Sequence, residues 1–129
     1  VLTGHGVDLY DPDVVVSSMG SFFKVPVLRM ASNEEVEGWI ASLKGRYPSL
    51  QVLGTTSHTQ RELFRYDLSG PVLFLIGNET DGLCARFKEL CDGLATIPMA
   101  PDACASSFNV SCAATVLFYE AARQRRAKL

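Results

Sequence analysis

Five consecutive apolar residues, Val72, Leu73, Phe74, Leu75 and Ile76, give way without transition to Gly77, Asn78 and Glu79. An unbroken apolar run of this length predicts a strand covered on both faces, as at the centre of a parallel sheet, because a strand with one wet face alternates. Gly77 permits a sharp turn or a close approach of the backbone to a ligand. Asn78 and Glu79 bring polar side chains to the strand's exit, and Gly82 frees the backbone again. Open α/β sheets bind ligands at such strand ends. The same residues also read as a plain polar turn between a strand and a helix. A phosphate loop is excluded, since Leu83 and Cys84 follow Gly82 where that motif requires Lys and then Ser or Thr.

Elsewhere strand and helix signals alternate. Residues 1–3 predict the tail of a strand that ends at Gly4 and Gly6. Asp11 and Pro12 are placed as cap and first residue of a short helix running to about Met19 and stopped by Gly20. The β-formers of 22–30 predict a strand starting near Val27, or one at an edge, because of Pro26. Ser32 and Glu35 form a capping box, and Val36, Trp39, Ile40 and Leu43 follow at helical spacing. Residues 51–55 predict the next strand, whose exit at Gly54, Thr55, Thr56 and Ser57 is small and rich in hydroxyls. Residues 58–70 read as a long connection with one helical turn around 60–64. After Gly82, Leu83, Phe87 and Leu90 mark a helix with Arg86, Lys88 and Glu89 on its polar face. A short strand at 94–97 is stopped by Pro98. The last helix, from near Asn109 to Arg125, carries Val110, Ala113, Ala114, Leu117, Phe118, Ala121 and Ala122 on or near one face. This order predicts an α/β fold with a mostly parallel sheet flanked by helices, in which three strand exits, 54–57, 77–82 and 97–107, can converge on one ligand.

Composition narrows the class. A chain of 129 residues that is 47% hydrophobic and 20% charged can bury a core as one domain. No segment approaches the roughly 20 apolar residues of a membrane span. A net charge of −2 supplies no global attraction for nucleic acid; the local basic feature is the last turn, with Arg123, Arg125, Arg126 and Lys128, which also suits a helix C-terminus. Cys84, Cys91, Cys104 and Cys112 lack Cys-x-x-Cys spacing and read as small buried side chains of a reducing compartment, hence a cytoplasmic protein. His5 and His58 read as loop residues without metal-ligand spacing, so no metal is expected. Val1 opens a strand pattern without an initiator Met or a signal peptide, which predicts a piece of a longer protein.

Three blocks together carry a resemblance: Ile76 through Leu83; Ile97, Pro98 and Met99; and Ser107, Phe108, Asn109, Val110 and Ser111, followed by a helix rich in Ala up to Tyr119, Glu120 and Ala121. In this order and spacing they resemble the SPOUT superfamily and, within it, the SpoU or TrmH family of RNA ribose 2′-O-methyltransferases. Residues 8–27, with Ser18, Met19, Gly20, Pro26 and Val27, resemble the latter part of that family's first motif.

The resemblance implies a C-terminal trefoil knot, an exception to the rule that chains do not thread loops. It also implies S-adenosylmethionine held in that knot and a homodimer built through the last helix and the Pro26 region. The implied substrate is ribosomal or transfer RNA. By matched position, Thr55, Ser57, Gly77, Asn78, Gly82, Ile97, Met99 and Phe108 would line the methyl-donor site, and Glu79, Ser107 and Asn109 would complete the catalytic centre. The family's upstream Asn and Arg have no counterpart here, and Val16 stands where relatives often carry a basic residue. The expectation is therefore a methyltransferase domain without its first strand and helix, and without any N-terminal RNA-binding domain. A catalytically silent RNA-binding relative and an unrelated α/β protein with a nucleotide-like ligand are the alternatives.

Overall fold

Both sheets in the computed structural model are parallel. The structure describes residues 1–129 apart from His5, His58, Gln60, Glu79, Thr80, Asp81, Ser106 and Leu129. The loop assignments of the two histidines therefore lie outside the described residues. The chain divides into two compact units, Val1–Arg46 and Tyr47–Leu129.

In the first unit β1 (Leu2–Thr3) lies beside β2 (Arg29–Met30), with Leu2 opposite Arg29 and Thr3 opposite Met30. Between them stands α1 (Pro12–Ser17), whose first turn is capped by Asp11, its Oδ1 accepting from the Asp13 N–H at 2.8 Å. The helix stops earlier than its sequence predicts: Met19 and Gly20 both turn left-handed, at φ 50° and 84°. A single 3-10 turn, Ser21–Phe23, follows. The strand expected from Val27 begins only at Arg29, and Val25, Val27 and Leu28 are exposed.

Next comes α2 (Asn33–Arg46). Ser32 Oγ accepts from the Glu35 N–H at 3.2 Å, but the Glu35 carboxylate reaches past Ser32 to the Ala31 N–H at 2.8 Å, one residue further than the usual box. Val36 and Ile40 form its buried face, with Trp39 and Leu43 half-covered.

In the second unit β3 (Gln51–Thr55) is flanked by β4 (Val72–Leu75) and β5 (Gly93–Ala95), in the order β4-β3-β5. The sequence placed 72–76 at the centre, covered on both faces; β3 is central instead, with Val52, Leu53 and Gly54 buried and β4 half-buried along its length. The reason is pairing: β3 bonds on both sides, with Leu53 opposite both Phe74 and Gly93. Gly54 is the tight point, where a Cβ would come within 2.7 Å of Cys91 Sγ and 2.8 Å of the Leu83 and Leu94 methyls.

The β3–β4 connection contains a 3-10 turn, Leu63–Arg65, later than the helical turn expected around 60–64. Just before it the chain pairs with the end of β5: Thr96 N–H donates to the Arg61 carbonyl at 3.0 Å, and Leu63 N–H donates to the Thr96 carbonyl at 2.8 Å. Between β4 and β5 lies α3 (Ala85–Glu89), and α4 (Val110–Arg126) closes the unit.

Leu117 and Ala121 of α4 enter a core with Leu53, Leu63, Tyr66, Leu68 and Ala95, against which Val72, Phe74, Ile76 and Ile97 pack. Phe118 and Ala122, expected on the same helix face, are exposed. Each lies one residue past a buried neighbour, which on a 3.6-residue helix turns it about a quarter-turn away. The same phase explains Cys112. With Cys84 preceding α3 and Cys104 in a surface loop, three of the cysteines expected to be buried are exposed, and Cys91 is partly covered.

Candidate functional site

Parallel strands leave their sheet on one side, so the ends of β3, β4 and β5 meet there. After β3 the chain presents Thr55, Thr56 and Ser57. Thr55 Oγ1 donates to the Leu75 carbonyl at 3.3 Å, and Thr56 N–H donates to the Ala95 carbonyl at 3.1 Å, so this exit is tied to both neighbouring strands.

After β4 the backbone doubles back. Gly82 N–H donates to the Asn78 carbonyl at 3.1 Å, and Gly82 sits left-handed at φ 67°. Gly77 lies under this return: a Cβ there would run into the Gly82 carbonyl and the Leu83 nitrogen. Only glycine fits at that distance.

After β5 come Thr96, Ile97, Pro98 and Met99, and further on Ser107 and Phe108 lead into α4. Asn109 caps α4, its Oδ1 accepting from the Ser111 N–H at 3.0 Å and the Ser111 hydroxyl at 2.6 Å. Together the three exits and the first turn of α4 enclose a cleft of about 530 Å³. That volume lies within the range of clefts that bury a small organic ligand.

The cleft collects Thr55, Ser57, Gly77, Asn78, Gly82, Ile97, Met99 and Phe108, all singled out from the sequence as donor-site residues, together with Ser107. Asn109 is not among its lining residues; its described hydrogen bonds make it a helix cap. Glu79 lies outside the described residues. The cleft lining is apolar at residues such as Ile76, Leu83, Ala95, Ile97, Met99, Phe108 and Val110, and also includes the hydroxyl-bearing Thr55, Thr56, Ser57, Thr96 and Ser107.

Sequence reasoning missed Lys88. It stands half-buried on α3 and is the single charged side chain among the described lining residues. Its polar-face position was legible, but nothing in the spacing says that this part of the face looks into the cleft. Val110 and Ala113 belong to the small, close-packed start of the last helix, a signal that reads equally well as packing.

The shifted carboxylates lie outside the cleft lining. Arg123 hydrogen-bonds Glu120 and holds its carboxyl down to about 2, and the Ser69 hydroxyl and amide with Lys128 hold Asp67 down to about 2. Much of the basic end of α4 is thus engaged within the chain: Arg123 with Glu120 at 2.7 Å, Arg125 with the Gly70 carbonyl at 3.0 Å, and Lys128 with Asp67 at 3.0 Å. Among the described residues no group of three or more His, Cys, Asp or Glu could hold a metal ion, and no helix is long and apolar enough to cross a membrane.

A parallel α/β sheet whose strand ends, a glycine-backed loop and a helix start converge on one cleft has the arrangement in which open α/β sheets place their ligands. A model of the SpoU rRNA methylase family matches residues 1–119, and the chain belongs to that family. It is 42% identical over 125 residues to a 23S rRNA (uridine(2479)-2′-O)-methyltransferase of Streptomyces viridochromogenes, covering 97% of this chain and 43% of that protein. The crystal structure of the SpoU methyltransferase AviRb from the same organism, in complex with AdoMet, superposes with a TM-score of 0.88 at 42% identity, over 98% of this chain and 49% of that one. An AdoMet-bound rRNA methyltransferase from Sinorhizobium meliloti superposes with a TM-score of 0.78 at 31% identity, over 94% of this chain and 44% of that one. The chain thus spans less than half the length of these relatives.

Proposed function

We propose that this chain holds S-adenosylmethionine in the cleft at the ends of β3, β4 and β5, and serves methyl transfer to a ribose 2′-hydroxyl of ribosomal RNA. The observation that carries the reading is the cleft itself. Its lining brings the three motif blocks together with the hydroxyl-rich exit of β3, and Gly77 lets the Gly82–Leu83 backbone approach where a Cβ would clash.

The residues present fit such a ligand. An adenine ring finds apolar surface from Ile97, Met99 and Phe108, and ribose hydroxyls find partners in Thr55 and Ser57 and in the backbone around Gly77, Asn78 and Gly82. When bound, the group supplies a methyl on a sulfonium, an electrophile that requires in-line attack. The chain's part is then to orient, to exclude water and to provide a base for the ribose proton. In this reading Glu79 and Ser107 supply polar groups around the acceptor, and Asn109 holds the first turn of α4 through Ser111. Relatives named for 23S rRNA favour ribosomal over transfer RNA, and with it a cytoplasmic site of action.

The reading includes a knot and a homodimer. The knot is what membership of the SpoU family implies. The dimer is supported by apolar side chains left in water, Val116, Phe118 and Tyr119 on α4, and Val25 and Val27 beside Pro26.

Calorimetric titration with S-adenosylhomocysteine tests the proposal. One saturable site per chain is the expected result. A folded chain that gives neither heat nor a thermal shift overturns it.

A further inference from the structure

We infer that Lys88 anchors the carboxylate at the amino-acid end of the methyl donor, and so sets which way round the donor lies in the cleft. The inference rests on the methyl-donor reading above and extends it to one residue and one ligand group. Lys88 lines the cleft from α3, is half-buried, and has no ion pair among the described residues. Every other described lining side chain is apolar or a neutral hydroxyl or amide. A lone ammonium partly withdrawn from water gains most from an anionic oxygen within hydrogen-bonding reach.

The donor carries one such group. It also carries two cations, its own ammonium and the sulfonium. A fixed positive charge attracts the first and repels the other two, in inverse proportion to distance. The favourable arrangement therefore places the carboxylate at α3 and the sulfonium away from it. A phosphate of the acceptor RNA is the other available anion. Phosphates are usually held by several donors at once, whereas one cation among the described lining residues, otherwise hydroxyls, an amide and apolar groups, matches a monoanion. The carboxylate is accordingly favoured.

The test uses the whole chain and two ligands, S-adenosylhomocysteine and 5′-methylthioadenosine; the second keeps the adenosine thioether and lacks the carboxylate. Lys88→Met, which retains the apolar stem, should weaken S-adenosylhomocysteine about tenfold and leave 5′-methylthioadenosine unchanged. Lys88→Arg should restore binding to within about threefold, because a point charge suffices for a single carboxylate. Equal weakening of both ligands would mean that Lys88 only shapes the cleft, and overturns the assignment. So does unchanged binding of both, or a loss confined to capture of an RNA oligonucleotide, which would point to a phosphate. If the parent chain binds no S-adenosylhomocysteine, the donor reading itself falls, and this inference with it.

Discussion

Gln124 Oε1 accepts the backbone N–H of Leu68 at 2.8 Å, while its Nε2 donates to the Tyr66 carbonyl at 3.0 Å and to Glu120 at 2.8 Å. One side chain of α4 thus satisfies backbone groups more than fifty residues upstream, where Tyr66 and Leu68 are buried. Replacing Gln124 with Leu keeps the volume and leaves a buried amide and carbonyl without their partner. The expected loss is about 1–3 kcal/mol of unfolding free energy, because an unmade buried hydrogen bond costs the desolvation of its orphan. Urea denaturation measures it directly, as a lower midpoint at an unchanged slope.

Gly77→Ala separates the cleft from the rest of the unit. Its Cβ would enter the space of the Gly82 carbonyl and the Leu83 nitrogen, so the return loop has to move. Thermal stability should fall by an overpacking cost of about 1–3 kcal/mol, and the thermal shift given by S-adenosylhomocysteine should vanish. Gly70→Ala is the control, since a Cβ there meets nothing within 4 Å. An unaltered ligand shift in Gly77→Ala would show that the loop tolerates the methyl group and that close approach is not required.

Met19 is the described non-glycine residue with positive φ, at 50°, and its side chain is 90% exposed. Left-handed backbone costs an L-residue about 1–2 kcal/mol, and almost no packing is lost with this side chain. Met19→Gly should therefore stabilise the chain by up to about 1 kcal/mol, once the greater freedom of glycine in the unfolded state is set against the relief. A rise in melting temperature is the readout; a fall would mean that the turn is not strained.

Acid should weaken the fold through α4. Arg123 holds the Glu120 carboxyl down to about 2, and Ser69 with Lys128 does the same for Asp67. Both groups have lower values folded than unfolded, so the unfolded chain takes up protons first as pH falls. Their contribution is fully present above the ordinary carboxylate range of about 4 and is lost between there and about pH 2. Denaturation midpoints measured from neutral pH down to about pH 2 should decline over that window. Glu120→Gln should flatten the decline, and an identical slope in the variant would rule Glu120 out as a source.

Local signals were legible wherever a few neighbouring residues decide the outcome. Asp11 and Pro12 start α1, Ser32 and Glu35 cap α2, and the hydroxyls of 55–57 leave β3 where the sheet ends. Steric limits on one turn and unpaired amides at a helix start need no distant partner. The same locality explains why the expected donor-site residues appear together in one cleft: each sits at a strand exit or a helix start, and parallel strands exit on one side.

What the chain determined by itself was this set of caps, strand ends and turn glycines, because backbone sterics and hydrogen-bond satisfaction act over a few residues. Tertiary structure alone decided that β3 and not β4 is central, since pairing on both sides depends on where β5 returns. It also turned Lys88 into the cleft, left Phe118 and Cys112 in water, and gave Gln124 its hold on the 66–68 backbone. Each of these depends on the rotational phase of a helix against a sheet tens of residues away, and periodicity along one helix cannot say which side the sheet will lie on.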